Sequence, residues 1–182
     1  PAAETLHPWL VPAAEPAEPP RPVACVDPFI GSGGFAYAAG SAFPGAAAPH
    51  GLAKVGPDTS GKLGTVRFLH FSGYWYGDDT IRGFSHLHLH GTGAPDYGVL
   101  AVMPVADPGT APGPAVRRES KFRKKTEVAT PGAYAVTLEE GGIRVEIAAT
   151  EHGAHHRMTF PPGTRSGRLY FDLDHHLEGG EI

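Results

Sequence analysis

The sequence holds one cysteine, Cys25, so no disulfide can form within the chain. No run of about 18 apolar residues occurs, which argues against a transmembrane helix. No basic run exceeds Arg123-Lys124-Lys125, and the formal net charge is −4. The concentrated positive surface that a phosphate backbone requires is missing, which speaks against nucleic acid as a partner. No lysine of the P-loop kind follows Gly31-Ser32-Gly33-Gly34, and no helical pattern follows either, so nucleotide binding has no support there. No segment shows the periodicity of an amphipathic helix. The chain opens at Pro1 and not at methionine, which predicts a processed or excised polypeptide, with any signal peptide already gone.

What is present points to strands. The 182 residues suit one domain, possibly with a tail, and 41% hydrophobic content is enough to build a core. With 25 glycines and 19 prolines, turns and short strands are favoured over helices. Residues 1–22 are rich in Pro, Ala and Glu and read as a tail or linker, with Trp9 and Leu10 as a candidate anchor. From residue 23 to 182 the texture is that of a folded domain. Strands are expected at 23–30, 52–55, 66–76, 81–89, 99–105, 133–138, 143–147, 152–160 and 169–173, with Gly56 to Thr59 as a turn and Asp58 as a turn acid. Strands 133–138 and 143–147, joined by Glu139-Glu140-Gly141-Gly142, form the clearest hairpin. The basic cluster around Phe122 (Arg117, Arg118, Lys121, Arg123, Lys124 and Lys125) reads as a solvated edge. The fold class is all-β, an antiparallel β-sandwich. The last strand is read as buried, and the chain runs out soon after it, so partner strands are expected to be missing and the sandwich to be truncated at its C-terminal end.

The densest chemistry lies between Gly73 and Gly98. It contains Tyr74, Trp75, Tyr76, Asp78, Asp79, Arg82, and histidines 86, 88 and 90 at a spacing of two. On a strand that spacing places His86, His88 and His90 on one face and Leu87 and Leu89 on the other, toward a core. Three imidazoles on one face can hold a transition metal, line a groove facing a sugar or an interface, or simply be surface groups. The loop that follows carries Pro95 and Asp96, and Asp96 is either a ligand-binding carboxylate or an Asx-turn acceptor. Phe35, Tyr37 and Phe43 lie in a Gly/Ala/Pro-rich loop suited to stacking on a flat ligand, or to packing on the core.

Six segments in order carry a resemblance. They are VDPFIGSGG (26–34), FPGAAAPHGLAKVGPDTS (43–60), WYGDDTIRGFSHLHLHGTGAPDYG (75–98), SKF (120–122), TPGAYAVTL (130–138) and ATEHGAHHRMTFP (149–161). Together they resemble the N-terminal domain of glycoside hydrolase family 92, the exo-acting α-mannosidases, over about residues 23–175. The resemblance implies that this accessory β-sandwich packs on a larger helical (α/α) toroid. It implies an inverting, calcium-dependent hydrolysis of terminal α-mannosides in glycans. It also implies that the acid, the base and the calcium ligands lie in the helical domain, so that this chain alone is inactive. Its loops are then expected to supply substrate contacts. Trp75, or its neighbours Tyr74 and Tyr76, matches the aromatic platform, and Gly34 and Phe35 are candidates for the terminal mannose. His86, His88 and Asp96 would line the cleft or bridge to the helical domain. Relatives often carry Arg where Ser60 stands, Ser at His90 and Cys at Ala94, which puts one sugar contact in question. A secreted, periplasmic or cell-surface location follows from the family. Two other classes remain open at this point: a stand-alone carbohydrate-binding module, and a metal-binding β-sandwich built on His86, His88 and His90.

Overall fold

The structure, a computed structural model, describes residues 21–34, 41–48, 50–62, 69–91, 97–107 and 118–177. Among these residues there is no α-helix, only short 3-10 turns and antiparallel strands. One sheet contains β1 (Ala46–Ala47), β2 (Lys54–Ser60), β3 (Thr80–Ser85), β4 (Ala101–Ala106) and β10 (Gly167–Asp172) in the order β1-β2-β3-β4-β10, with β5 (Ser120–Lys121) beside β3. The other contains β6 (Val128–Thr130), β7 (Ala133–Thr137), β8 (Arg144–Ala149) and β9 (Ala154–Thr159) in sequential order. The two sheets form the expected all-β sandwich. Val55, Ile81, Phe84 and Met103 from the first meet Tyr134, Val136, Val145 and Ile147 from the second in one core.

The β7–β8 hairpin forms where alternation placed it. Tyr134 and Val136 point inward with Val145 and Ile147, while Ala133, Ala135 and Thr137 alternate away from the core. Its loop closes with Leu138 N–H donating to Ile143 O at 2.9 Å. β4 is the apolar run expected at 99–105, shifted by one to two residues, and it lies between β3 and β10.

Elsewhere, tertiary contacts overrode local pattern. Residues 22–25 form a 3-10 turn instead of a strand. Pro22 starts it, and Asp27 then accepts the Phe29 N–H at 2.9 Å in an Asx-turn. Gly56 to Thr59 is not a turn but the middle of β2, because Gly56, Pro57, Asp58 and Thr59 all pair with β3. The described part of the strand expected at 66–76 is a series of turns, closed by Gly73 N–H on His70 O at 2.9 Å. The strand expected to run through the histidines ends at Ser85, so His86, His88 and His90 are not one face of a ladder. β10 was expected to be buried. Its Leu169 and Phe171 are 47% and 59% exposed, and Leu173 just beyond is 77% exposed. The strand is the outermost of its sheet, and no described residue covers that face.

Candidate functional site

β2 supplies the centre of the arrangement. Asp58 and Thr59 are each 1% exposed, inside a strand that is buried along its length. A register shift between them against β3 marks a bulge, a feature that commonly re-aims side chains. Successive strand residues point to opposite sides, and each of these two finds its own polar network.

Asp58 accepts hydrogen bonds from His88 Nε2 at 2.8 Å and from His175 Nε2 at 2.6 Å. His88 Nδ1 faces Lys54 O at 2.9 Å. Both ring nitrogens of His88 therefore face acceptors, and Nε2 also lies 3.1 Å from the Ser85 hydroxyl. Burial alone would raise the Asp58 carboxyl. The charge of His88 and the hydrogen bonds from both histidines overcome that and hold it at about 2. Gly73 completes the enclosure. Its φ is +81°, and a Cβ there would lie 2.1 Å from Asp58 Oδ1. One carboxylate thus ties β2 to the segment after β3, the segment after β10 and the turn before Tyr74.

Thr59 organises the second network. Its hydroxyl donates to Asp78 Oδ2 at 2.7 Å and accepts the Trp75 N–H at 3.0 Å. His70 Nε2 lies 2.7 Å from the same Asp78 oxygen. The Gly31–Gly34 loop is strapped to this turn by two bonds. Trp75 Nε1–H donates to Gly34 O at 3.0 Å and Tyr76 N–H to Ser32 O at 2.8 Å. The approach is so close that a Cβ at Gly33 would sit 2.8 Å from Tyr76 Cβ.

A third buried acid braces the turn from below. Glu127 accepts from Tyr74 Oη at 3.0 Å, from Tyr134 Oη at 2.7 Å and from Lys124 Nζ at 3.3 Å. Burial, with the Glu127 carboxylate alongside, pushes both phenols far above their usual range. Lys124 Nζ sits 4.6 Å from the ring centres of Tyr74 and Phe122 and 4.7 Å from that of Tyr76. Its ammonium pKa is lowered by burial, against the pull of Glu127. Phe122 is a core residue, so this part of the basic cluster is a braced corner and not a plain solvated edge.

The structure therefore joins Gly34, Trp75 and Tyr76 at one corner. Trp75 is partly buried, Tyr76 is 48% exposed, and Tyr74 is 1% exposed, which removes Tyr74 as a platform. The histidines diverge. His88 is buried on Asp58. His86 donates from Nδ1 to Leu100 O at 2.6 Å and meets His156 Nε2 at 3.1 Å, across the two sheets. Burial first, and then His86, lower His156 to about 4. His90 lies on the rim, its ring 4.7 Å from that of Phe43. Phe35 and Asp96 fall outside the described residues. Among the described residues no group of three or more His, Cys, Asp or Glu side chains is placed to hold a metal ion, so the three-histidine metal face does not form. Calcium takes six or more oxygens, and the three buried acids among the described residues do not offer them. Asp58, Asp78 and Glu127 are each spent on donors of the protein itself.

A cavity of about 510 Å³ lies elsewhere, on β6–β9, lined by Val128, Thr130, Ala135, Glu146, His155 and Arg157. Arg157 holds Glu146 there through two bonds, at 2.8 and 2.9 Å. None of the residues expected to touch substrate lines it.

Sequence reasoning missed Asp58, Thr59, His70, His175, Lys124 and Glu127 as members of these networks. The available signal was a polar Asp58-Thr59-Ser60 run directly after apolar residues, which reads equally as a turn.

The sequence profile of the glycosyl hydrolase family 92 N-terminal domain matches residues 25–182. An uncharacterized secreted glycosidase of Arthroderma benhamiae is 32% identical over 127 residues, covering 67% of this chain and 16% of that protein. Among solved structures, the family GH92 alpha-mannosidase BT3965 from Bacteroides thetaiotaomicron superposes with a TM-score of 0.72 at 32% identity, over 85% of this chain and 20% of that one. The family GH92 inverting mannosidase BT2199 from the same species gives a TM-score of 0.63 at 28% identity, over 81% and 19%. The chain thus spans about a fifth of the solved chains it resembles. On the profile, the fold and these relatives, it belongs to glycosyl hydrolase family 92 and corresponds to that family's N-terminal domain.

Proposed function

We propose that this chain is the non-catalytic part of an inverting, calcium-dependent exo-α-mannosidase, and that its loops complete the pocket for a terminal α-mannoside. The observation that carries this is the corner where the Gly31–Gly34 loop meets Trp75 and Tyr76, in a chain of this family. Backbone bonds hold both aromatics and the indole N–H also holds Trp75, while the exposed part of each ring can stack on the C–H face of a sugar. A fixed platform lowers the entropy lost when substrate orders.

An inverting reaction needs an acid and a base on opposite sides of the sugar, separated widely enough to admit a water. The buried carboxylates Asp58, Asp78 and Glu127 each accept hydrogen bonds from donors of the protein itself. We place the acid, the base and the calcium ligands in a helical domain of the same protein. The part played by this chain is to orient the sugar and to exclude bulk water from one side of it. Secretion, to the periplasm, cell surface or medium, fits a glycan substrate and the secreted relative.

The test is hydrolysis of an aryl α-mannoside with calcium, by this chain alone and after adding the separately produced helical domain. Activity is expected only in the mixture. Activity from this chain alone would overturn the assignment. Mannan binding with no hydrolysis in either case would point instead to a stand-alone binding module.

A further inference from the structure

Trp75 has three groups able to form hydrogen bonds, and all three are occupied. Its backbone N–H donates to the Thr59 hydroxyl at 3.0 Å, and its carbonyl accepts the Asp78 N–H at 3.1 Å. Its indole N–H donates to Gly34 O at 3.0 Å. The first two bonds lead back to one buried unit. Thr59 is 1% exposed, Asp78 4% and His70 2%. A hydroxyl has a single proton, and here Asp78 takes it. The oxygen of Thr59 is thereby committed as an acceptor toward Trp75. The Thr59 N–H also donates to Gly73 O at 2.8 Å, two residues before Trp75, so the turn is gripped on both sides of the tyrosine between them.

We infer that Thr59, Asp78 and His70 are positioning residues that set the orientation of the Trp75 indole, and that substrate affinity depends on them through Trp75. The buried unit touches no open surface of its own. Its outward effect passes through the backbone of residues 73–78. A methyl in place of the Thr59 hydroxyl keeps the side-chain volume but leaves the Trp75 N–H without its acceptor and Asp78 without one donor. The turn then relaxes, and the indole loses a defined pose.

The dependence of affinity on this unit rests on the proposed sugar platform, and the experiment separates the two. In the full-length protein, the part of the near-UV circular dichroism that Trp75→Phe removes reports the indole pose. KM and kcat on an aryl α-mannoside report function. Thr59→Val should lose the Trp75 dichroic signal and raise KM roughly tenfold with kcat within about twofold, the pattern of lost ground-state binding. Thr59→Ser should restore both. Asp78→Asn, which keeps the shape, serves if Thr59→Val does not fold. A lower melting temperature with the Trp75 signal and KM unchanged would overturn the inference and leave Thr59 merely structural. If Thr59→Val removes the signal while Trp75→Ala leaves KM unchanged, positioning of the ring stands and the sugar platform fails. If Trp75→Ala raises KM and Thr59→Val alters neither readout, the platform stands and positioning fails.

Discussion

Replacing Asp58 by Asn should destabilise the protein strongly, and the size follows from what surrounds the carboxylate. His88 donates to Asp58 from one nitrogen and to Lys54 O from the other, and His175 donates to the second carboxylate oxygen. An amide of the same shape can accept one of these bonds, but its NH₂ faces a donor at the other. It also takes the negative charge away from His88 and His175 in a site 1% exposed. Breaking a buried pair by removing one partner costs about 3–5 kcal/mol. A second route starts from the carboxyl itself, held at about 2 against an ordinary 3.8. That difference converts to roughly 2–3 kcal/mol, at about 1.4 kcal/mol for each tenfold change in proton affinity.

A loss of about 3 kcal/mol in a domain of this size lowers the melting temperature by on the order of 10 °C. The contribution of a depressed carboxyl is fully present above its unfolded value near pH 4 and is lost as pH falls through the folded value near 2. Melts followed by circular dichroism between pH 7 and pH 2 should therefore show two things. Asp58→Asn melts lower at pH 7, and the gap to the parent narrows across pH 4 to 2. A variant that melts within about 2 °C of the parent at neutral pH would refute the claim that Asp58 holds the three segments together.

Gly73→Ala meets the same site from outside. With φ at +81° and a Cβ only 2.1 Å from Asp58 Oδ1, it should cost at least about 3 kcal/mol in denaturant titrations, more than a helix-interior or loop glycine would. His156, held at about 4, favours the neutral imidazole. Its stabilising effect is present above its ordinary 6.5 and is lost as pH falls toward 4, and a proton NMR titration of His156 should find that low value. His86→Ala should move it upward only in part, because burial is the larger cause. Lys124→Met keeps the stem against three rings but removes one donor from Glu127, so a loss of about 1–2 kcal/mol is expected in urea melts. Lys124→Glu should cost more, by placing a second carboxylate against Glu127.

The hairpin at 133–149 was legible because its rule is local: alternation sets which side is buried, and a Gly-rich loop closes the turn. The aromatic corner was legible in part, since Trp75, Tyr76 and Gly34 do converge, but Tyr74 was not separable from its neighbours. Its hydroxyl partners, Lys124 and Glu127, lie 50 and 53 residues away. The errors share one cause. Gly56-Pro57-Asp58-Thr59 has turn composition, yet it forms strand because β3 pairs with it and because His88 and His175 neutralise an acid that would otherwise not be buried. His175 lies 117 residues from Asp58, beyond any window in which spacing is informative. The histidine alternation failed in the opposite direction. It continued past Ser85, but the ladder did not, so a period of two no longer meant one face.

The placement of three acids inside a small sandwich needs a reason, since apolar residues of equal volume often stabilise a core as well or better. The reason lies in what is being held. The turns around residues 31–34, 70–78, 86–91 and 173–177 lie outside the strand ladders, so no backbone pairing within a sheet fixes their positions. Hydrogen bonds to a buried carboxylate are directional, and leaving one unmade is costly, so they select one pose for each segment. Asp58 sets the segments after β3 and β10, Asp78 with Thr59 sets Trp75, and Glu127 sets Tyr74 and Lys124. The acids do not form the proposed platform. They make its geometry single-valued, which is what a domain must supply if it contributes ring surface but no acid or base to a pocket.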